Sequence, residues 1–75
     1  MGRVNELKKV TLERDMKHRD VKCTYSIVNG PTGEKLLQVD TYGSESRQLP
    51  GKKSQSIRFT AEALRQLKEI LLDEF

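Results

Sequence analysis

Five consecutive residues, Asn29-Gly30-Pro31-Thr32-Gly33, constrain this chain more than any others. Three of them are glycine or proline, whose backbone angles suit a reversal and little else. The chain must turn there, and the flanking residues say what turns. Before it, Val21, Cys23, Tyr25 and Ile27 share one parity, with Lys22, Thr24 and Ser26 on the other. That is the period-two signature of a half-buried strand. After it, Lys35 to Tyr42 resumes the alternation and Gly43 ends it, which defines a hairpin with a four- or five-residue loop.

A further strand is expected over Ser54 to Thr60, with Ile57 and Phe59 on one face and Ser54, Ser56 and Arg58 on the other. Pro50-Gly51 in the intervening polar segment marks a turn. Thr60 suits a helix N-cap, and Glu62 in the first turn complements the helix dipole. Leu64, Leu67, Leu71 and Phe75 then follow as one amphipathic stripe, with Arg65 and Glu69 as an outward ion pair. Nearer the N-terminus, residues 1–9 read as a flexible or irregular arm. Val10, Leu12 and Arg14 carry a weak alternation that makes a first strand. Residues 10–75 are thus expected to form one α+β domain, a four-stranded antiparallel meander closed by a C-terminal helix (ββββα).

Such a domain has little interior. Leu, Ile, Val and Phe make up 19 of 75 residues, enough to fold but marginal at this length. One cysteine (Cys23) gives no internal disulfide, and one histidine (His18) gives no ordinary zinc site. A partner subunit is the remaining support, so a homodimer is expected. No apolar run approaches a membrane span or a signal peptide, and a lone thiol suits a reducing, cytoplasmic setting.

Chemistry is sparse. His18 lies in a charged, turn-like run and reads as a solvated loop residue. Cys23 shares parity with Val21 and Ile27 and reads as a buried small hydrophobe. Ser54 and Ser56 have no base to activate them, and the glycines do not make a phosphate loop. No enzyme, metal or cofactor is expected. The charge distribution is more informative. The net +3 is the sum of +3 over residues 1–22, −2 over 23–45, +4 over 46–60 and −2 over 61–75. The +4 block holds Arg47, Lys52, Lys53 and Arg58 with no acid.

Parity puts Leu37, Val39, Ile57 and Phe59 under the helix and leaves Leu36, Gln38, Asp40, Tyr42, Ser56 and Arg58 on the open face. Asp40 and Arg58 are expected to pair across strands. Cations beside an exposed ring are the two parts of a single-stranded nucleic-acid platform. Tyr42 would stack a base, while Arg47, Lys52, Lys53, Ser56 and Arg58 would meet the backbone. The alternative from another class is a protein-interaction module, such as a phage or mobile-element inhibitor docking a host protein.

The segments Lys35-Leu36-Leu37-Gln38-Val39-Asp40, Pro50-Gly51-Lys52-Lys53 and Gln66-Leu67-Lys68-Glu69 resemble the C-terminal domain of the transcriptional coactivator p15, or positive cofactor 4, family. The resemblance implies four antiparallel strands and a helix, dimerisation largely through the helices, and single-stranded DNA binding by curved sheets. It implies phosphate contacts at Lys52 and Lys53. Where that family has a tryptophan after the third strand, this chain has Tyr42-Gly43. The run from Asp40 to Ser56 is also similar to small uncharacterised bacterial or phage proteins.

Overall fold

The computed structural model describes residues 2–13, 20–43 and 53–75, Lys53 through its backbone alone. It contains four strands and a helix, in the order β1 (Gly2–Val4), β2 (Cys23–Asn29), β3 (Lys35–Tyr42), β4 (Lys53–Phe59) and α1 (Ala61–Glu74). The ββββα order is the expected one, but the sheet is mixed. Its strands lie in the order β1-β4-β3-β2, with β2–β3 and β3–β4 antiparallel and β1–β4 parallel. The first strand is therefore Gly2–Val4 and not the Val10–Leu12 stretch, which has no strand and leaves Val10 and Leu12 exposed. Three residues with a single apolar side chain carry no readable period. Gly2 is recruited by a distant partner, Ile57.

The β2–β3 hairpin turns where the glycines and proline require it. Gly33 N–H donates to the Gly30 carbonyl at 3.0 Å, and Gly30 N–H donates to the Glu34 carbonyl at 2.8 Å. Gly33 has φ +84°, the left-handed region in which a Cβ is disfavoured. The Glu34 carboxylate braces the loop by accepting from the Thr32 N–H at 3.1 Å and from the Thr32 hydroxyl.

The helix begins as expected. The Thr60 hydroxyl accepts from the Ala63 N–H at 3.2 Å, and the Thr60 N–H donates to the Val4 carbonyl at 3.1 Å. One residue thereby ties together β4, β1 and α1. On the helix surface Arg65 reaches back to Glu62, at 3.0 Å, rather than forward to Glu69. The i,i+3 pair also sets an acid at the positive end of the helix.

Burial departs from the expected pattern in three ways. Register confirms that Leu37, Val39, Ile57 and Phe59 share a face, with Leu36, Gln38, Asp40, Ser56 and Arg58 on the other. Yet the buried row is Leu36, Gln38 and Asp40, while Ile57 is 38% exposed and its neighbours are half-buried. The supposedly open face is the better covered at its centre. Second, α1 lies against β3 and β4 and buries Ala63 completely, but the leucine stripe is only partly covered. Leu64 and Leu67 are half-buried, and Leu71 and Phe75 are exposed. Third, Cys23, Val21, Tyr25 and Ile27 are exposed, not core. They sit at or beside an edge strand against which the helix does not pack. The apolar interior among the described residues thus centres on Leu36 and Ala63.

Candidate nucleic-acid interface

Antiparallel register between β3 and β4 sets Gln38 opposite Arg58 and Asp40 opposite Ser56. Arg58 is therefore opposite Gln38, not the expected Asp40. Arg58 Nε donates to Gln38 Oε1 at 2.8 Å. The other end of the same amide, Gln38 Nε2, donates to both Asp40 oxygens at 3.1 and 3.2 Å. Ser56 Oγ also donates to Asp40 Oδ1. The row runs from guanidinium through amide to carboxylate, each donor facing an acceptor. Such satisfaction is what lets polar side chains sit buried at a sheet centre.

This network decides what each residue can offer a ligand. Arg58 is half-buried and donates to Gln38 through Nε, a bond that uses none of the donors on its two terminal nitrogens. Ser56 has its one proton committed to Asp40 and can act there only as an acceptor. Arg3, opposite Arg58 in the parallel β1–β4 register, brings a second guanidinium to this face. One of its terminal nitrogens lies 3.6 Å from Glu34.

The ring of Tyr42 lies at the far end of the same face. Tyr42 pairs in the backbone with Lys53, across a bulge that follows Thr41. Its hydroxyl shares a hydrogen bond of 3.0 Å with Thr24 Oγ1 of β2. The ring is half-buried and oriented by that bond. β3 ends at Tyr42 and β4 begins at its partner Lys53, so the two ends of the segment that carries Arg47 and Lys52 lie side by side. Arg47, Lys52 and the Pro50-Gly51 turn within it, like His18, lie outside the described residues.

No family model, curated protein or solved structure matches the chain. Its chemistry is read from its own residues.

Three participants were not legible in the sequence. Arg3 was hidden in an apparently irregular arm. Gln38 gave no hint that it joins Arg58 to Asp40, because that depends on register. Thr24 looked like an ordinary strand residue, yet it orients Tyr42. Tyr25, opposite Val39, lies on the other side of the sheet from Tyr42 and is 76% exposed. Parity groups residues by face, but it cannot say which face is covered. Among the described residues no His, Cys, Asp and Glu side chains gather into a metal-binding group, and no helix is long and apolar enough to cross a membrane.

Proposed function

We propose that this chain is a non-enzymatic module that binds single-stranded nucleic acid, DNA in preference to RNA, as a homodimer. The reading is supported above all by the Tyr42–Lys53 register, which sets the two ends of the segment that carries Arg47 and Lys52 side by side at an oriented aromatic ring. Arg58 extends the cationic character along the same face, and Arg3 lies opposite it. Arg47, Lys52, Lys53 and Arg58 meet phosphates, Tyr42 stacks a base, and Ser56 accepts a hydrogen bond from the ligand. The resemblance to the p15 coactivator family points the same way and implies a role in transcription regulation. The setting is cytoplasmic, nucleoid-associated in a bacterium.

Fluorescence anisotropy of a labelled oligothymidine tests the reading. Affinity is expected to fall steeply with salt, because phosphate contacts release condensed counterions. Lys52→Ala/Lys53→Ala is expected to lower the logarithmic salt slope by about 1.4, two single-strand phosphate contacts. Absence of binding at low salt would overturn the proposal, and an unchanged slope would overturn the lysine assignment.

A second reading is favoured by the apolar sheet face, where Tyr25, Ile27 and Ile57 are exposed together. A face of this kind suits a protein partner, as in a phage or mobile-element inhibitor that docks a host protein. It becomes the better account if oligothymidine does not bind.

A further inference from the structure

Among the described residues strand β2 is one of the two outer strands of the sheet, and its sequence, Cys-Thr-Tyr-Ser-Ile-Val-Asn, has no charge and no proline. Natural edge strands are normally protected from pairing by lysines, prolines, bulges or shortness. Here seven residues run in continuous register with β3. All but Val28 are exposed.

The hydrogen-bond phase of the hairpin determines which backbone groups are left over. Tyr42 N–H donates to the Lys22 carbonyl, and Gly30 N–H donates to the Glu34 carbonyl. Residues 22 and 30 thus lie in hydrogen-bonded pairs at the two ends of the ladder. In an antiparallel ladder such pairs alternate. Thr24, Ser26 and Val28 therefore direct their N–H and C=O groups at β3. Those of Cys23, Tyr25, Ile27 and Asn29 point off the sheet.

We propose that this edge pairs with β2 of a second copy, antiparallel about a two-fold axis through Ser26. The inference rests on the homodimer of the proposed function and specifies its interface. In that register Tyr25 meets Ile27 of the other copy and Cys23 meets Asn29, each as a hydrogen-bonded pair. The outward-directed groups of the strand then find partners, about eight hydrogen bonds in all. Tyr25 against Ile27 is an aromatic–β-branched cross-strand contact, a favourable type. No charge within the strand opposes it.

The register makes a site-specific demand. Ser26 faces its own copy in a non-hydrogen-bonded pair, where Cα atoms approach to about 4.5 Å, within disulfide reach. Thr24 faces Val28 instead. In a Cys23→Ser background, Ser26→Cys is expected to give a disulfide-linked dimer on mild oxidation, and Thr24→Cys to remain unlinked. Ile27→Lys, at a position already 62% exposed, is expected to leave the circular dichroism spectrum intact and weaken association at least about tenfold. A dimer by sedimentation with no Ser26→Cys linkage, or with equal linkage at Thr24→Cys, would overturn edge pairing and leave the dimer standing. So would a dimer broken by Leu71→Glu and untouched by Ile27→Lys, which places the interface on the helix. A monomer at all concentrations would remove both.

Discussion

Gln38 stands between Arg58 and Asp40, taking a hydrogen bond from the Arg58 Nε on one side and giving its amide protons to the Asp40 carboxylate on the other. A neutral side chain thereby orients a cation and an anion on neighbouring strands. Because Gln38 and Asp40 are both buried, the arrangement is fixed by the sheet and not by solvent.

Gln38→Leu keeps the volume approximately and removes both roles. Asp40 loses its amide donors and Arg58 loses its acceptor. Stability is expected to fall by about 1–3 kcal/mol, measured as a lower urea midpoint at unchanged slope. Ser56→Ala should cost less, since Asp40 retains Gln38.

Tyr42 separates ring from hydroxyl. Tyr42→Phe loses the bond to Thr24 but retains the stacking surface, so oligothymidine affinity is expected to stay within a few-fold. Tyr42→Ala is expected to weaken it by about 1–3 kcal/mol, the usual contribution of one stacked base. Equal affinities for the two variants would remove Tyr42 from the interface.

The Thr60 hydroxyl caps the helix, so Thr60→Ala is expected to cost about 1 kcal/mol. Thr60→Ser keeps the cap and should recover most of the loss. Thermal unfolding of the pair measures the difference.

Hydrogen bonding from Thr32 holds the Glu34 carboxyl below its ordinary value of 4.5, with the Arg3 guanidinium adding a smaller attraction. A carboxylate with a lowered folded pKa contributes stability that is fully present above 4.5 and is lost as pH falls through the folded value. Wild type should therefore lose turn stability on acidification, and Glu34→Gln should lose less over the same interval. Urea midpoints at about pH 6 and about pH 3 provide the comparison.

Local signals made much of this fold legible. The Gly30–Gly33 turn, the span Lys35–Tyr42 and the Thr60 cap follow from backbone restrictions and short-range periodicity, and all three stand where those rules put them. What could not be read depends on distance. Gly2 becomes a strand residue through Ile57, and neither neighbourhood announces the other. Coverage is similarly non-local. The alternation in Val21 to Ile27 is real, but a helix lying over β3 and β4 leaves that strand's apolar side chains in solvent. The candidate site divides the same way. Tyr42 was visible as an aromatic residue at a strand end, whereas Thr24, which orients it, emerges only from the β2–β3 register.

The parallel pairing of β1 with β4 also bears on the order of assembly. Gly2–Val4 precedes every other element in the chain, yet its partners are Ile57, Arg58 and Phe59 of the last strand. Loop closure over so long a separation is slow compared with formation of the β2–β3 hairpin. During synthesis the hairpin can form while β1 is still single, and the sheet can close only after Phe59 has emerged. The Val4 carbonyl then receives the Thr60 N–H, so completing the sheet and starting the helix become one event. A nascent chain halted before β4 would hold a hairpin with both edges open.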